Sequence, residues 1–345
     1  MNKPIVFKGK KLTIQKSKIE PNVRNKTVIT DSNWRYVEMW LKRKSHKDAL
    51  IFWNQAEYFY EASMVLPTES KPLTAYYCYL NATKALLTVK HVSFSSYHGV
   101  SGDLNINSKA SLSNEMIKIK GGGVLPELAK YLGEKFEESE YSLKDILHNM
   151  LYIHRAYIHT FTSDKELYIP IKNPTYVRKE KSTEAWLQFE LEDELITKHT
   201  INKFPKNFEV DNSSTNGEII RYKKRFHWNG RDESKSLKSL TNYNKKMRSM
   251  IFYINGSNGA SWYLKRNSDV NFNIINNGSL TLTFAAMHRL SELSRYHPDV
   301  LKSHLESQHN WLLSEFINRS LVQFIDEISS EITGDDFKVT KLKLN

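Results

Sequence analysis

The chain has few of the residues that build covalent or metal-based sites. It contains one cysteine, Cys78, so no disulfide can form within it. No HExxH or CxxC motif occurs and the twelve histidines are scattered, so we expect no metal and no other cofactor. A GxxxxGK(S/T) phosphate loop is also absent. A lone thiol in an apolar helical pattern is typical of a buried, unreactive cysteine in a reducing compartment, which predicts a cytoplasmic protein.

Long apolar runs are also missing. No stretch approaches the roughly 18 consecutive apolar residues that a membrane-spanning helix needs. The first twenty residues lack the apolar segment of a secretory signal. We therefore expect no membrane partner. With 40% hydrophobic and 12% aromatic residues, the chain has enough apolar material to build a packed core.

Positive charge exceeds negative charge. There are 50 Lys and Arg against 38 Asp and Glu, which gives a net charge of +12. Residues 1–48 hold 13 of these bases and 4 of the acids. This balance favours a phosphate-rich partner, because each base placed on a phosphate releases a counterion. It is also typical of a soluble protein without such a partner, and composition leaves both interpretations open.

The apolar pattern predicts an α+β fold that is mostly α, with N- and C-terminal helical parts forming one bundle around a β-rich middle segment. Residues 49–163 begin with ALIFWNQAEYFYEASMVL, which predicts a central helix, and PLTAYYCYLNATKALLTVK, which predicts its antiparallel partner across a short turn. Before them, residues 1–48 form a basic arm and a first helix that begins near Ser32.

The second half of the chain changes character twice. Residues 164–278 are β-rich, and the stretch from Asn255 to Gly259 predicts a hairpin turn between two strands. Residues 279–345 return to helices that pack on the first helical region. Pro298 separates two of them, and the last helix ends at Gly334.

Of all segments in the chain, HNMLYIHRAYIHT, residues 148–160, most resembles a catalytic site. One continuous helix from Ser142 to Phe161 would carry His154 in its core stripe. Its opposite side would present four polar side chains at spacings of four, three and four: His148, Tyr152, Arg155 and His159. This is either an ordinary solvated face or a catalytic site. In the second case Arg155 binds a phosphate and His159 transfers protons in metal-free RNA cleavage, with His148 and Tyr152 assisting.

A helical hairpin followed by a helix with Arg and His resembles the HEPN superfamily of helical nucleases and nucleotide-binding modules. In that superfamily four to six residues separate the Arg from the His, whereas only three separate Arg155 from His159. Many HEPN-like domains have lost the motif and serve as scaffolds. If the face lay at a dimer interface, two copies would contribute histidines and arginines to one groove.

Several short motifs occur in an order that resembles the YaaC-like family of bacterial proteins: YYCYLNATKALL, YHGVSG, KGGGVLPEL, LYIHRAYI and LSELSRYHPDVL. The resemblance covers roughly residues 50–163 and 279–330. It implies a bacterial, cytoplasmic protein with a nucleotide or nucleic-acid theme, since some members are encoded beside purine-nucleotide genes and relatives occur in anti-phage defence loci. The last of these motifs contains the sequence Arg295-Tyr296-His297-Pro298. Arg295 and Tyr296 either complete a helix end or form a buried anion site.

Basic residues alternate with aromatic ones in RYKKRFHWNGR, residues 221–231. Such a surface suits single-stranded nucleic acid, although an edge strand protected by lysines gives the same pattern. The predicted nucleic-acid contacts are Lys223, Lys224, Arg225, Lys245, Lys246 and Arg248.

Together these features predict a HEPN-like protein that binds RNA, in preference to DNA, or cleaves it without metal, as an effector in anti-phage defence. We expect a homodimer or larger assembly and a partner protein from the same locus. The alternative is a non-catalytic nucleotide sensor or scaffold that binds a partner protein.

Overall fold

The computed structural model describes residues 2–103, 111–134, 139–211, 219–256, 259–266 and 274–340. Its helices are α1 (Asn33–Arg43), α2 (Lys47–Val65), α3 (Lys71–Val89), α4 (Val124–Tyr131), α5 (Leu143–His148), α6 (His154–Thr160), α7 (Lys198–Ile201), α8 (Glu233–Met247), α9 (Ser279–Tyr296), α10 (Pro298–Leu305) and α11 (Asn310–Thr333). Its strands are β1 (Asn2–Pro4), β2 (Val6–Phe7), β3 (Lys10–Lys11), β4 (Val28–Thr30), β5 (Val100–Asp103), β6 (Met116–Ile119), β7 (Ser139–Ser142), β8 (Tyr168–Lys179), β9 (Glu184–Glu190), β10 (Phe208–Val210), β11 (Ile219–Tyr222), β12 (Phe226–His227), β13 (Ile251–Gly256), β14 (Gly259–Lys265) and β15 (Phe337–Val339). This content confirms the predicted α+β, mostly α class.

The chain divides into two compact units. A helical unit comprises residues 30–166 and 273–333, and a β unit comprises residues 1–29, 167–272 and 334–345. The predicted segment 1–48 is therefore split, because its first 29 residues belong to the β unit and its helix belongs to the helical unit. Ser32 caps that helix by accepting a hydrogen bond from the Arg35 amide, as its position in the sequence predicts.

The central helix of the helical unit is α3, which is buried along most of its length and contacts α2, α9, α11 and α4. Its neighbour α2, which the apolar pattern predicts as central, instead lies at the periphery. Trp53 and small residues such as Ala49 and Ala56 form its buried side, whereas Ile51 and Tyr58 are more than 60% exposed. The all-round apolar sequence of α2 therefore reflects an exposed apolar surface rather than complete burial.

The C-terminal helices complete the bundle, as predicted. The helix α9 is buried on nearly all sides and packs on α3 and α11. Pro298 begins α10, where a missing backbone N–H costs nothing. The chain leaves α11 at Gly334, whose positive φ of 80° is easily reached without a Cβ atom. None of the helices in the described ranges is long and apolar enough to cross a membrane.

The β unit is built on an antiparallel sheet with the strand order β10-β11-β9-β8-β14-β13. The predicted hairpin forms, since β13 pairs with β14 and Gly256 lies opposite Gly259; the two residues between them, Ser257 and Asn258, fall outside the described residues. The N-terminal arm belongs to this unit: β1 pairs with β8, and Leu12 and Ile14 enter the core of the sheet.

One helix, α8, lies within the predicted β-rich segment. Asp232 caps it by accepting a hydrogen bond from the Lys235 amide. Leu240, Tyr243 and Met247 form a buried stripe at helical spacing and join the core of the β unit, while lysines occupy the solvent side. The stripe contains few apolar residues, so the sequence of α8 shows little of the periodicity by which a helix is predicted.

Candidate functional site

The predicted histidine helix is interrupted. The helix α5 ends at His148, residues 151–153 form a 3₁₀ turn, and α6 begins at His154. Between the helices Met150 adopts an extended conformation, with φ of −105° and ψ of 117°. The expectation of one continuous helix from Ser142 to Phe161 is wrong, and the four polar side chains do not share one helical face.

The side chain of Asn149 accounts for the break. Its Nδ2 donates to the carbonyl of Asp145 at 2.8 Å, which satisfies a carbonyl at the end of α5. Its Oδ1 accepts a hydrogen bond from the Ile275 amide at 3.0 Å, so the same side chain also fixes the approach to α9. Asparagine offers the backbone an alternative to helix continuation, and here a tertiary contact stabilises that alternative.

Two of the four predicted catalytic residues are buried. The Nε2 of His148 donates to the Lys165 carbonyl at 2.9 Å, and its ring stacks on Tyr157 with centroids 4.5 Å apart. Tyr152 shares a hydrogen bond of 2.9 Å with Thr283, and burial raises the pKa of its phenol. Both side chains therefore have structural partners, and neither faces solvent beside Arg155.

The other two residues, Arg155 and His159, lie on the solvent side of α6. The Arg155 side chain is 77% exposed and forms an ion pair with Glu166. The ring of His159 lies 5.8 Å from that of Trp311, which is half exposed. The structure thus places one guanidinium and one imidazole one helical turn apart, with an acid already paired to the guanidinium.

The predicted nucleic-acid contacts divide into exposed lysines and engaged arginines. Lys223, Lys224, Lys245 and Lys246 are all exposed, and none has an acidic partner within the described ranges. The Nζ of Lys246 lies 5.9 Å from the Tyr222 ring centroid. Partial burial and the neighbouring Lys224 lower the pKa of Lys246, so the two ammonium groups lie within electrostatic reach of each other.

Arg225 and Arg248 are occupied within the protein. The Arg225 guanidinium lies 4.3 Å from the Trp186 ring centroid and donates to the Tyr222 carbonyl at 2.8 Å. Arg248 is buried, and it donates to the carbonyls of Lys16 and Ile251. One edge strand over residues 221–231, which the sequence pattern allowed, does not form, because β11 ends at Tyr222 and the chain bends before β12 begins at Phe226.

Arg295 and Tyr296 do not form a buried anion site. Both are exposed at the end of α9, where the guanidinium lies 4.9 Å from the tyrosine ring centroid. They lie beyond Leu293, the last buried residue of α9, and just before Pro298 begins α10.

The structure contains a buried ionic network that the sequence analysis missed. Arg289 is 1% exposed and donates to Glu115 through Nε at 3.1 Å and through a terminal nitrogen at 2.6 Å. His304, which is fully buried, donates through Nε2 to the other oxygen of Glu115 at 2.9 Å. The network joins α9, α10 and the residue that precedes β6.

Burial alone raises the pKa of Glu115, but hydrogen bonds from His304 and Arg289 outweigh burial and hold that pKa below its usual value. A second carboxylate, on Glu292, accepts hydrogen bonds from Arg289 at 3.1 Å and from the Gly102 amide at 2.8 Å. Gly102 is required there, since a Cβ atom would overlap both side chains. The only signal in the sequence is Arg289 among apolar residues of a helix, and its partner Glu115 lies 174 positions away.

Within the described ranges, no group of His, Cys, Asp and Glu side chains is placed to hold a metal ion. A family model described as YaaC-like Protein matches residues 14–332. That range includes most of both units, and with them the β-rich segment that the motif resemblance leaves out. No curated protein and no protein of solved structure shows a significant match.

Proposed function

The chain belongs to the YaaC-like family, and from that premise we propose that it binds RNA through a basic surface of the β unit. The basic surface consists of Lys223, Lys224, Lys245 and Lys246. The observation that carries the proposal is that these four exposed ammonium groups have no acidic partner among the described residues. A phosphate backbone provides the missing negative charge, and each lysine placed on a phosphate releases a counterion.

The surrounding sequence strengthens this charge. Between residues 219 and 256, ten Lys and Arg stand against two Asp and Glu. The aromatic rings of Tyr222 and Trp186 are buried, so the lysines rather than stacked bases provide the contact. Binding should therefore depend weakly on base sequence and strongly on salt.

The test is fluorescence anisotropy with a labelled 20-nucleotide uridine RNA and the matching DNA, at several salt concentrations. The variant Lys224→Gln/Lys246→Gln is expected to weaken binding and to reduce the slope of log affinity against log salt by about 1.4, at roughly 0.7 per phosphate contact on a single strand. The control, Lys42→Gln/Lys302→Gln, removes the same charge from exposed lysines that are already paired with Glu38 and Glu306.

Two outcomes contradict the proposal. Absence of RNA binding by the wild-type protein contradicts it directly, and equal affinities for the two double variants show that the basic surface is not the contact. Tighter binding to the DNA than to the RNA retains the surface but overturns the preference for RNA.

A second candidate function, metal-independent RNA cleavage, rests on the exposure of Arg155 and His159 one turn apart on α6. The HEPN-like interpretation of the helical unit is part of this candidate, and the α2–α3 hairpin supports it. Glu166 competes with phosphate for Arg155. We therefore expect Glu166→Gln to raise cleavage and Arg155→Ala or His159→Ala to abolish it. Unchanged cleavage in the two alanine variants, once their folding is verified, would exclude this site.

An RNA-binding or RNA-cleaving protein of this family would act in the cytoplasm as an effector of anti-phage defence, as a homo-oligomer or with a partner protein. The alternative, a non-catalytic nucleotide sensor or scaffold, gains support from a separate groove in the helical unit.

A further inference from the structure

A groove runs between α2 and α3 in the helical unit. Its volume is about 360 Å³, within the range of roughly 300–1,000 Å³ that is usual for small-molecule sites. The rings of Phe59 and Tyr77 stack across the two helices with centroids 5.3 Å apart. The lining is mostly aromatic and apolar with two amides and one base: Ile51, Phe52, Gln55, Phe59, Tyr77, Leu80, Asn81 and Lys84.

Lys84 is the single charged side chain of this lining. It is partly buried, which lowers its pKa, and its Nζ lies 5.7 Å from the Phe52 ring centroid. No carboxylate of the described residues pairs with it. A partly desolvated ammonium group without a counter-charge is unfavourable, so an anionic ligand would stabilise this arrangement.

His98 does not line the groove, but its imidazole is close enough to Lys84 for the ammonium charge to act on it. The hydroxyl of Tyr76 bonds to Nδ1 of His98 and has no other acceptor among the described residues, so the hydroxyl donates its proton to Nδ1. The imidazole therefore carries its own proton on Nε2, for which the described residues offer no acceptor. Burial and the nearby Lys84 lower the pKa of His98, so the ring is neutral near pH 7 and remains a hydrogen-bond donor.

The carboxylate whose charge acts on His98 is that of Glu292. Glu292 accepts hydrogen bonds from Arg289 and from the Gly102 amide. His288, whose ring lies 5.7 Å from that of His98, is buried and neutral, because burial first and then His98, Arg289 and Lys120 lower its pKa to about 3. Within the groove lining, Lys84 is thus a charged group that no carboxylate of the described residues compensates.

We propose that the groove between α2 and α3 binds a small planar aromatic molecule that carries a phosphate, with a nucleoside monophosphate as the fitting class. The ring system packs on Phe52, Phe59 and Tyr77, and the phosphate lies against the Lys84 ammonium. This site lies wholly within the helical unit and is independent of the proposed RNA surface on the β unit.

The test is isothermal titration calorimetry of the full chain with adenosine monophosphate, adenosine and inorganic phosphate at pH 7.5. The monophosphate is expected to bind at least tenfold more tightly than either fragment, because it engages both halves of the site. Lys84→Met, which keeps the alkyl stem and removes the charge, should weaken the monophosphate at least tenfold and leave adenosine unchanged. Lys47→Met, an exposed lysine at the start of α2, is the control and should bind like wild type.

The variant Lys224→Gln/Lys246→Gln should keep full monophosphate affinity, which separates this site from the RNA surface.

Three results would overturn the inference: no binding of the monophosphate, equal binding of adenosine and its monophosphate, or unchanged affinity in Lys84→Met. A fourth would come from analytical ultracentrifugation. Ile51, Tyr58 and Val65 are exposed at seven-residue spacing on α2. If Ile51→Asp converts a dimer to a monomer and the dimer does not bind the monophosphate, a second copy of the chain covers the groove instead.

Discussion

Arg289 shows how a single residue can join distant parts of a bundle. Its guanidinium is buried, and it donates hydrogen bonds to Glu115, Glu292 and the Asp103 carbonyl. Such groups stabilise a fold only as a complete set, because removing one partner leaves a buried charge without compensation.

Arg289→Met is expected to lower the free energy of unfolding by roughly 3–5 kcal/mol, since it leaves Glu115 buried and without its main cation. Denaturant unfolding measures this. In the double variant Arg289→Met/Glu115→Gln the loss should be smaller than the sum of the two single losses. Arg319→Met, which removes an exposed arginine paired with Glu315, is the control and should cost less than about 1 kcal/mol.

His288 predicts a defined pH dependence of stability. Burial, followed by the neighbouring His98, Arg289 and Lys120, lowers its pKa from 6.5 to about 3 in the folded chain. Between these values the unfolded chain binds more protons, so stability is complete above pH 6.5 and falls as the pH drops toward 3. Each pH unit in this window should cost at most about 1.4 kcal/mol. Urea unfolding at pH 7.0 and 5.5 should show a smaller loss in His288→Asn than in wild type, and equal losses would refute the assignment.

At the scale of elements, short polar and glycine residues decide where helices begin and end. Asn149 ends α5 through two hydrogen bonds, although the surrounding apolar spacing predicts continuation. At the start of α4, the amides of Val124 and Leu125 donate to the carbonyls of Tyr97 and His98, so a neighbouring loop caps the helix.

Gly123 makes this cap geometrically possible. Its φ is 120°, and an added Cβ atom would lie 2.6 Å from the Gly99 amide nitrogen. Gly123→Ala is therefore expected to destabilise the helical unit by roughly 1–3 kcal/mol or more, since the strained conformation and the overlap act together. Gly122→Ala is the matched control, because an added Cβ atom there meets nothing within 4 Å. Thermal unfolding of the two variants distinguishes them, and equal midpoints would contradict the argument.

At the scale of the whole molecule, the N-terminal arm is an integral part of the β unit. The basic charge of residues 1–48 is equally compatible with a free tail, yet Ile5, Leu12 and Ile14 lie in the core cluster of the sheet. The unit is therefore assembled from three segments that are far apart in sequence.

Leu12→Ala is expected to destabilise the β unit by roughly 2–5 kcal/mol, as is usual for a fully buried leucine. Val6→Ala, at an aliphatic residue of the same arm that is 59% exposed, should change stability by less than about 0.5 kcal/mol. Limited proteolysis should show faster cleavage between residues 167 and 266 in Leu12→Ala only. Equal cleavage in both variants would mean that the arm does not support the sheet.

The sequence by itself determined what depends on neighbours along the chain. The α2–α3 hairpin, the cap at Ser32, the β13–β14 hairpin and the end of α11 at Gly334 all follow from local periodicity, capping and turn chemistry. The exposure of Lys223, Lys224, Lys245 and Lys246 also followed, because lysine is rarely buried.

Only the tertiary structure decided the contacts between residues that are distant in the chain. It buried His148 and Tyr152, engaged Arg248 with two carbonyls and brought Arg289 to Glu115. It also stacked Phe59 of α2 on Tyr77 of α3, a contact that no spacing in the sequence indicates. The physical reason is that local periodicity specifies which face of an element is apolar, whereas the partner of a buried polar group is fixed only when distant segments pack together.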